Sequence, residues 1–162
     1  MTQVETIKKQ YKILERNVLI LIAIPLSLFG FAYLYTNSGN LDWDLPEIPK
    51  AFSSFLLGLT TAILVLQYVN FHNTMKKIRF SLNDLEQKIQ SYSKATISRF
   101  WQLFFVGLIC TAGLLVFDNA GFTIAYAVTL LFISIGKPTP QRIIRLLRLK
   151  EREKETILEI NR

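Results

Sequence analysis

The chain has 162 residues, is 51% hydrophobic and 19% charged, and carries a formal net charge of +7. This length fits one domain. A lone cysteine, Cys110, excludes an intramolecular disulfide, and a lone histidine leaves no metal-ligand cluster. The positive charge could suit nucleic acid, but its placement along the chain argues against that use. Of the 19 Lys and Arg, all except Lys50 flank apolar stretches on one side. Cytoplasmic loops keep Lys and Arg because their translocation is unfavourable, and this rule accounts for the charge.

Val4, Ile7, Tyr11, Leu14, Val18 and Leu21 open the chain at 3-4 spacing. That is the stripe of an amphipathic helix. It begins in the cytoplasm and runs directly into the first apolar stretch, 18–35. The stretch is long for a signal-peptide core and no small-x-small cleavage pattern closes it, so it reads as a retained span. Pro25 inside it removes one backbone hydrogen bond and should kink the helix.

Apolar stretches follow at 51–71, 100–117 and 121–136, and none of the four contains Asp, Glu, Lys or Arg. At about 1.5 Å per helical residue they can cross ~30 Å of hydrocarbon, the shortest with local thinning. The connection 36–49 is external, with Asp42, Asp44 and Glu47 as a polar rim and Trp43 at the interface. Asp118-Asn119-Ala120 is a tight external turn that makes the third and fourth spans antiparallel neighbours.

Ser54, Gly58 and Ala62 lie four residues apart, as do Gly107 and Thr111, and Gly121 and Ala125. Small residues on one stripe allow close backbone approach, so Ser54, Gly58, Ala62, Gly107, Gly121 and Ala125 are the expected helix-packing positions. Gln67 and Gln102 lie near the inner surface and are placed to pair across neighbouring helices.

The segment 72–99 carries Met75, Ile78, Leu82, Leu85, Ile89 and Tyr92 at heptad-like spacing. One unbroken helix would leave barely enough residues, fully extended and without backbone pairing, to return to the membrane by Phe100. Ser81 and Asn83 are helix-starting residues, and Asn83-x-x-Glu86 has capping-box form. The segment therefore reads as a cytoplasmic helical hairpin that turns near residues 81–83.

After the fourth span, Thr139-Pro140 is a helix-start signal. An amphipathic C-terminal helix is expected over about 140–160. On its projection Arg142, Arg145, Arg148 and Arg152 share one side, suited to anionic lipid headgroups or a protein partner. The opposite side suits a hydrocarbon boundary or the cytoplasmic ends of other helices.

The fold class is all-α integral membrane: a four-span up-down helical bundle whose helices extend into the cytoplasm. Both termini are expected inside a bacterial inner membrane or its equivalent. No paired intramembrane carboxylates, phosphate loop or nucleophile elbow occurs, so neither enzyme nor cofactor is expected. The function read from this is a non-catalytic accessory or scaffold subunit. It would act through helix packing and a basic cytoplasmic helical surface, on the bilayer and on a second copy or another membrane protein. The alternative is a small oligomeric channel or transporter lined by Thr60, Thr61, Gln67 and Thr111.

Overall fold

The computed structural model describes residues 3–39, 48–81 and 84–159. Trp43 and the acidic residues of the first connection lie outside them, as do Leu82 and Asn83. Among the described residues every regular element is helical. The order is α1 (Gln3–Asn37), α2 (Lys50–Phe80), α3 (Leu85–Phe117), α4 (Ala120–Gly136), α5 (Pro140–Leu147) and α6 (Glu151–Glu159).

Helices α1, α2 and α3 are each long and apolar enough to cross a membrane. Helix α4 has 17 residues, which reach about 25 Å. It joins α5 through an 82° bend, and that bent pair is the fourth candidate span. The chain thus has three to four helices compatible with an integral membrane protein.

Helix α3 is the central element, packed on α1, α2 and α4. Its fully buried residues include Phe100, Leu103, Val106 and Cys110. Helix α1 buries a narrow seam consisting of Ile7, Tyr11, Leu14, Val18, Leu21, Pro25, Phe29 and Ala32. The amphipathic N-terminal stripe and the first apolar stretch therefore form one continuous contact face. Pro25 lies within α1, which runs uninterrupted past it. Phe29 stacks on Tyr126 of α4 with centroids 3.9 Å apart.

The outer faces are apolar and uncovered. Phe31, Leu34, Phe55, Ile124 and Leu131 are all more than 60% exposed. A water-soluble chain rarely exposes so much contiguous hydrocarbon, whereas a lipid-facing surface is built of it.

The ends of the helices are set locally. Helix α2 stops at Phe80, with Ser81 in extended backbone. Asp84 is the N-cap of α3 and accepts from Leu85 N at 2.8 Å. The expected turn at residues 81–83 falls mostly outside the described residues, as does Asn83, the expected cap; the N-cap of the described helix is Asp84. Met75, Ile78, Leu85 and Ile89 join one core cluster at this end of the molecule. At the opposite end Asn119 caps α4 by accepting from Gly121 N at 2.8 Å, and its Nδ2 donates to Ser53 Oγ at 3.1 Å. One side chain thus starts α4 and ties it to α2.

The C-terminal segment departs from the single helix expected over 140–160. Thr139 Oγ1 accepts from Arg142 N at 3.3 Å and starts α5. Arg148 then adopts left-handed backbone, φ 49° and ψ 53°. Leu149 N donates back to Ile144 O at 3.2 Å, and the Leu149 side chain is buried. A left-handed residue with a long return bond and an apolar contact just beyond is a Schellman-type stop. Helix α6 starts afresh, with Glu153 Oε2 accepting from Lys150 N at 2.9 Å, the second half of a capping box.

The break folds the segment onto the Lys/Arg-rich end of the bundle. Ile143, Leu147, Leu149 and Ile157 all enter the core cluster. Tyr11 Oη donates to Pro138 O at 3.3 Å, and Lys88 Nζ lies 3.8 Å from Glu153 Oε1. The basic end is thus a small head built from the ends of α1, α2 and α3 together with α5 and α6.

Candidate functional site: a cationic cavity at the basic end

A cavity of about 440 Å³ opens between α2, α3, α4 and α5 in this head. Five cations line it: Lys76 and Arg79 from α2, Arg99 from α3, Arg142 from α5 and Arg148 from the turn after α5. His72 also lines it, no carboxylate among the described residues does, and Phe71, Phe80, Ile135 and Leu146 supply apolar wall.

The cations are held differently. Arg79 donates from Nε and Nη2 to Leu146 O, at 3.2 and 3.0 Å. It thereby satisfies a carbonyl in the last turn of α5, where a cation also complements the helix dipole. Arg99 is only 3% exposed. Its Nη2 reaches Phe132 O at 3.4 Å and its guanidinium lies 4.8 Å from the Phe71 ring centroid. Among the described residues its Nε has no hydrogen-bond partner, and neither does that of Arg142. Beneath them Tyr92 is fully buried; its hydroxyl neighbours that of Thr96 without meeting hydrogen-bond geometry.

A second cavity of about 260 Å³ lies on the other side of Arg99, between α2 and α3. Gln67 and Gln102 both line it, but they do not pair. Gln67 Nε2 turns back to Leu64 O of its own helix at 3.0 Å, and Gln67 Oε1 has no partner among the described residues. Among the described residues no hydrogen bond joins Gln67 to Gln102, although the two share a cavity wall.

The four arginines expected on one helix face are dispersed by the turn at Arg148. Arg142 and Arg148 line the cavity, while Arg145 and Arg152 are set outside it, and both are exposed. The small-residue positions also divide. Gly107 packs on Pro25, Gly121 lies against Leu57, and Ala125 packs at the edge of the core. Ser54, Gly58 and Ala62 are exposed, and a Cβ at Gly58 would meet nothing within 4 Å. Within the chain, the face of α2 that packs on its neighbours is a different one. Its inward stripe is Ser53, Thr60, Leu64, Gln67, Phe71, Met75 and Ile78.

The polar residues considered for a pore are mostly closed onto their own helices. Thr60, Thr61 and Thr111 donate to Leu56 O, Leu57 O and Gly107 O at 2.8, 2.9 and 2.8 Å. Thr60 and Gln67 are buried between helices.

Sequence reasoning did not single out Arg99, because a lone arginine at the start of a span reads as an ordinary interfacial charge. The signal available was its position directly before Phe100 in a helix that had to continue inward. No protein-family model, curated protein or solved structure matches the chain.

Proposed function

We propose that this is a non-catalytic multi-pass membrane protein, an accessory or scaffold subunit that presents a basic helical head. The reading places four spans up and down across a bacterial inner membrane or its equivalent, with both termini and the head in the cytoplasm. The distribution of Lys and Arg supports this orientation. The observation that carries the reading is the docking of the C-terminal segment. Ile143 and Ile157 are almost completely buried in the head, so the apolar side of α5 and α6 is used internally. What this segment offers outward is charge: exposed Arg145 and Arg152 beside Glu151 and Glu155. A folded, charged surface held at a fixed height above the membrane suits a protein partner, with nearby anionic headgroups as a secondary attraction.

The channel alternative has less support. Its proposed lining is largely buried between helices or bonded to its own backbone. A pore between copies would use the outward face of α2, where Thr61 lies beside the uncovered small residues.

The test is crosslinking in intact cells from photoreactive groups at positions 145 and 152, followed by mass measurement of the solubilised complex. A defined membrane-protein adduct that is lost in Arg145→Gln/Arg152→Gln is the expected result. A chain that crosslinks only to lipid would remove the accessory reading.

A further inference from the structure

We propose that the cavity between α2, α3, α4 and α5 is a binding site for a phosphate-bearing anion, with Arg99 at its base and Arg142 and Arg148 at its wall. The inference does not depend on the accessory-subunit reading.

The first ground is uncompensated charge. A guanidinium removed from water is costly unless it is paired and hydrogen-bonded. Arg99 is nine-tenths buried or more, and among the described residues its only acceptor is a 3.4 Å contact to Phe132 O. Among the described residues no carboxylate forms an ion pair with Arg99 or Arg142, and the Nε of each has no acceptor. Two donors with the same requirement therefore line one space. An anion with several acceptor oxygens would satisfy both at once, and phosphate suits the planar fork of arginine best.

The second ground is the backbone of Arg148. A left-handed residue after a helix is ordinarily glycine, and a residue with a Cβ adopts that conformation at a cost. Here the position is arginine, with φ 49°, and its side chain lines the cavity. Strain held at a site-lining residue is a recurrent sign of function. Glycine would serve the turn better, but it would remove a cation from the wall.

The third ground is size and place. The volume of about 440 Å³ lies within the ordinary range of small-ligand sites. Phe71, Phe80, Ile135 and Leu146 give the cavity an apolar side next to the lipid-facing surface of α2 and α4. Basic pockets between helices on the inner side of a membrane suit lipid phosphates. The same donors would also hold a free phosphate, so the shared chemistry is an anionic phosphate group.

The test uses the full-length protein in nanodiscs of neutral phosphatidylcholine. Short-chain phosphatidic acid and inorganic phosphate are titrated separately, with short-chain phosphatidylcholine as the control lipid. Saturable binding of phosphatidic acid at least about tenfold tighter than phosphatidylcholine is expected, a factor corresponding to the loss of one charge-assisted hydrogen bond. Arg142→Gln and Arg148→Gly should each weaken it by about tenfold. Arg148→Gly should at the same time leave the melting temperature unchanged or raise it. That pairing separates lost binding from lost folding, as Arg99→Gln alone could not. Lys12→Gln removes one charge from the exposed face of α1 and should leave binding intact.

Binding of phosphatidic acid without binding of millimolar phosphate would assign the site to a lipid headgroup. Equal binding of both, with mutual competition, would assign it to the phosphate group itself. Binding of neither, or an equal loss in Lys12→Gln, would overturn the proposal and leave only diffuse surface attraction.

Discussion

Pro25 of α1 and Gly107 of α3 are in direct contact: a Cβ placed on residue 107 would lie 2.7 Å from Pro25 Cβ. The proline ring cannot rotate away, and Tyr126 closes the space from α4 at 3.5 Å. The central crossing of α1 on α3 is therefore set by the absence of one methyl group.

Gly107→Ala should lower thermal stability, since overpacking a close contact of this kind costs about 1–3 kcal/mol. Gly58→Ala is the matched control. That position opens onto empty space, and alanine is the better helix former, so its melting temperature should be unchanged or higher. Thermal unfolding of both variants in one detergent checks the pair. A loss at Gly58 equal to that at Gly107 would mean that another helix covers the outer face of α2.

Ile157 is fully buried although it lies in the last short helix. Ile157→Ala should remove about 2–5 kcal/mol from the docking of α6. Limited proteolysis should then cut near 149–152 while the apolar core of the bundle stays intact. Lys88→Ala breaks a partly exposed 3.8 Å ion pair between α3 and Glu153 of α6. Such pairs contribute less than about 1 kcal/mol, so that variant should remain resistant. If the two variants were cut equally fast, charge and not packing would hold α6 in place.

Orientation is testable in a Cys110→Ser background. Single cysteines at Ser38 and Glu155 lie at opposite ends of the helices and are both exposed. An impermeant thiol reagent applied to intact cells should label position 38 and spare position 155 until the membrane is broken. Labelling of 155 in intact cells would invert the proposed topology.

Thr139→Ala should weaken the start of α5 by about 1 kcal/mol, because Arg142 N loses its side-chain acceptor. Since α5 carries Arg142 to the cavity, hydrogen exchange at residues 142–147 should accelerate, with little change in α3. Uniform acceleration across the bundle would show that α5 does not open as a separate unit.

The sequence by itself determined what repeats along one helix. The apolar stretches and the 3-4 stripe from Ile7 through Leu21 follow from local spacing: the stretches lie within helices α1 to α4, and the stripe is the buried face of α1. Long-range choices were not legible. Small residues at 54, 58 and 62 carry the same spacing as those at 107 and 111, yet only Gly107 meets a partner, because spacing states that a helix can be approached and not which neighbour approaches it. The break at Arg148 carried no glycine to announce it; it is held by Leu149 and Ile157 entering a core formed by distant helices. Arg99, Arg142 and Arg148 line one cavity only because the 82° bend between α4 and α5 lays α5 against α2, and the turn at Arg148 adds its side chain to the same wall. Local propensity fixed the elements, and side-chain packing between elements remote in the chain decided which of their faces were used.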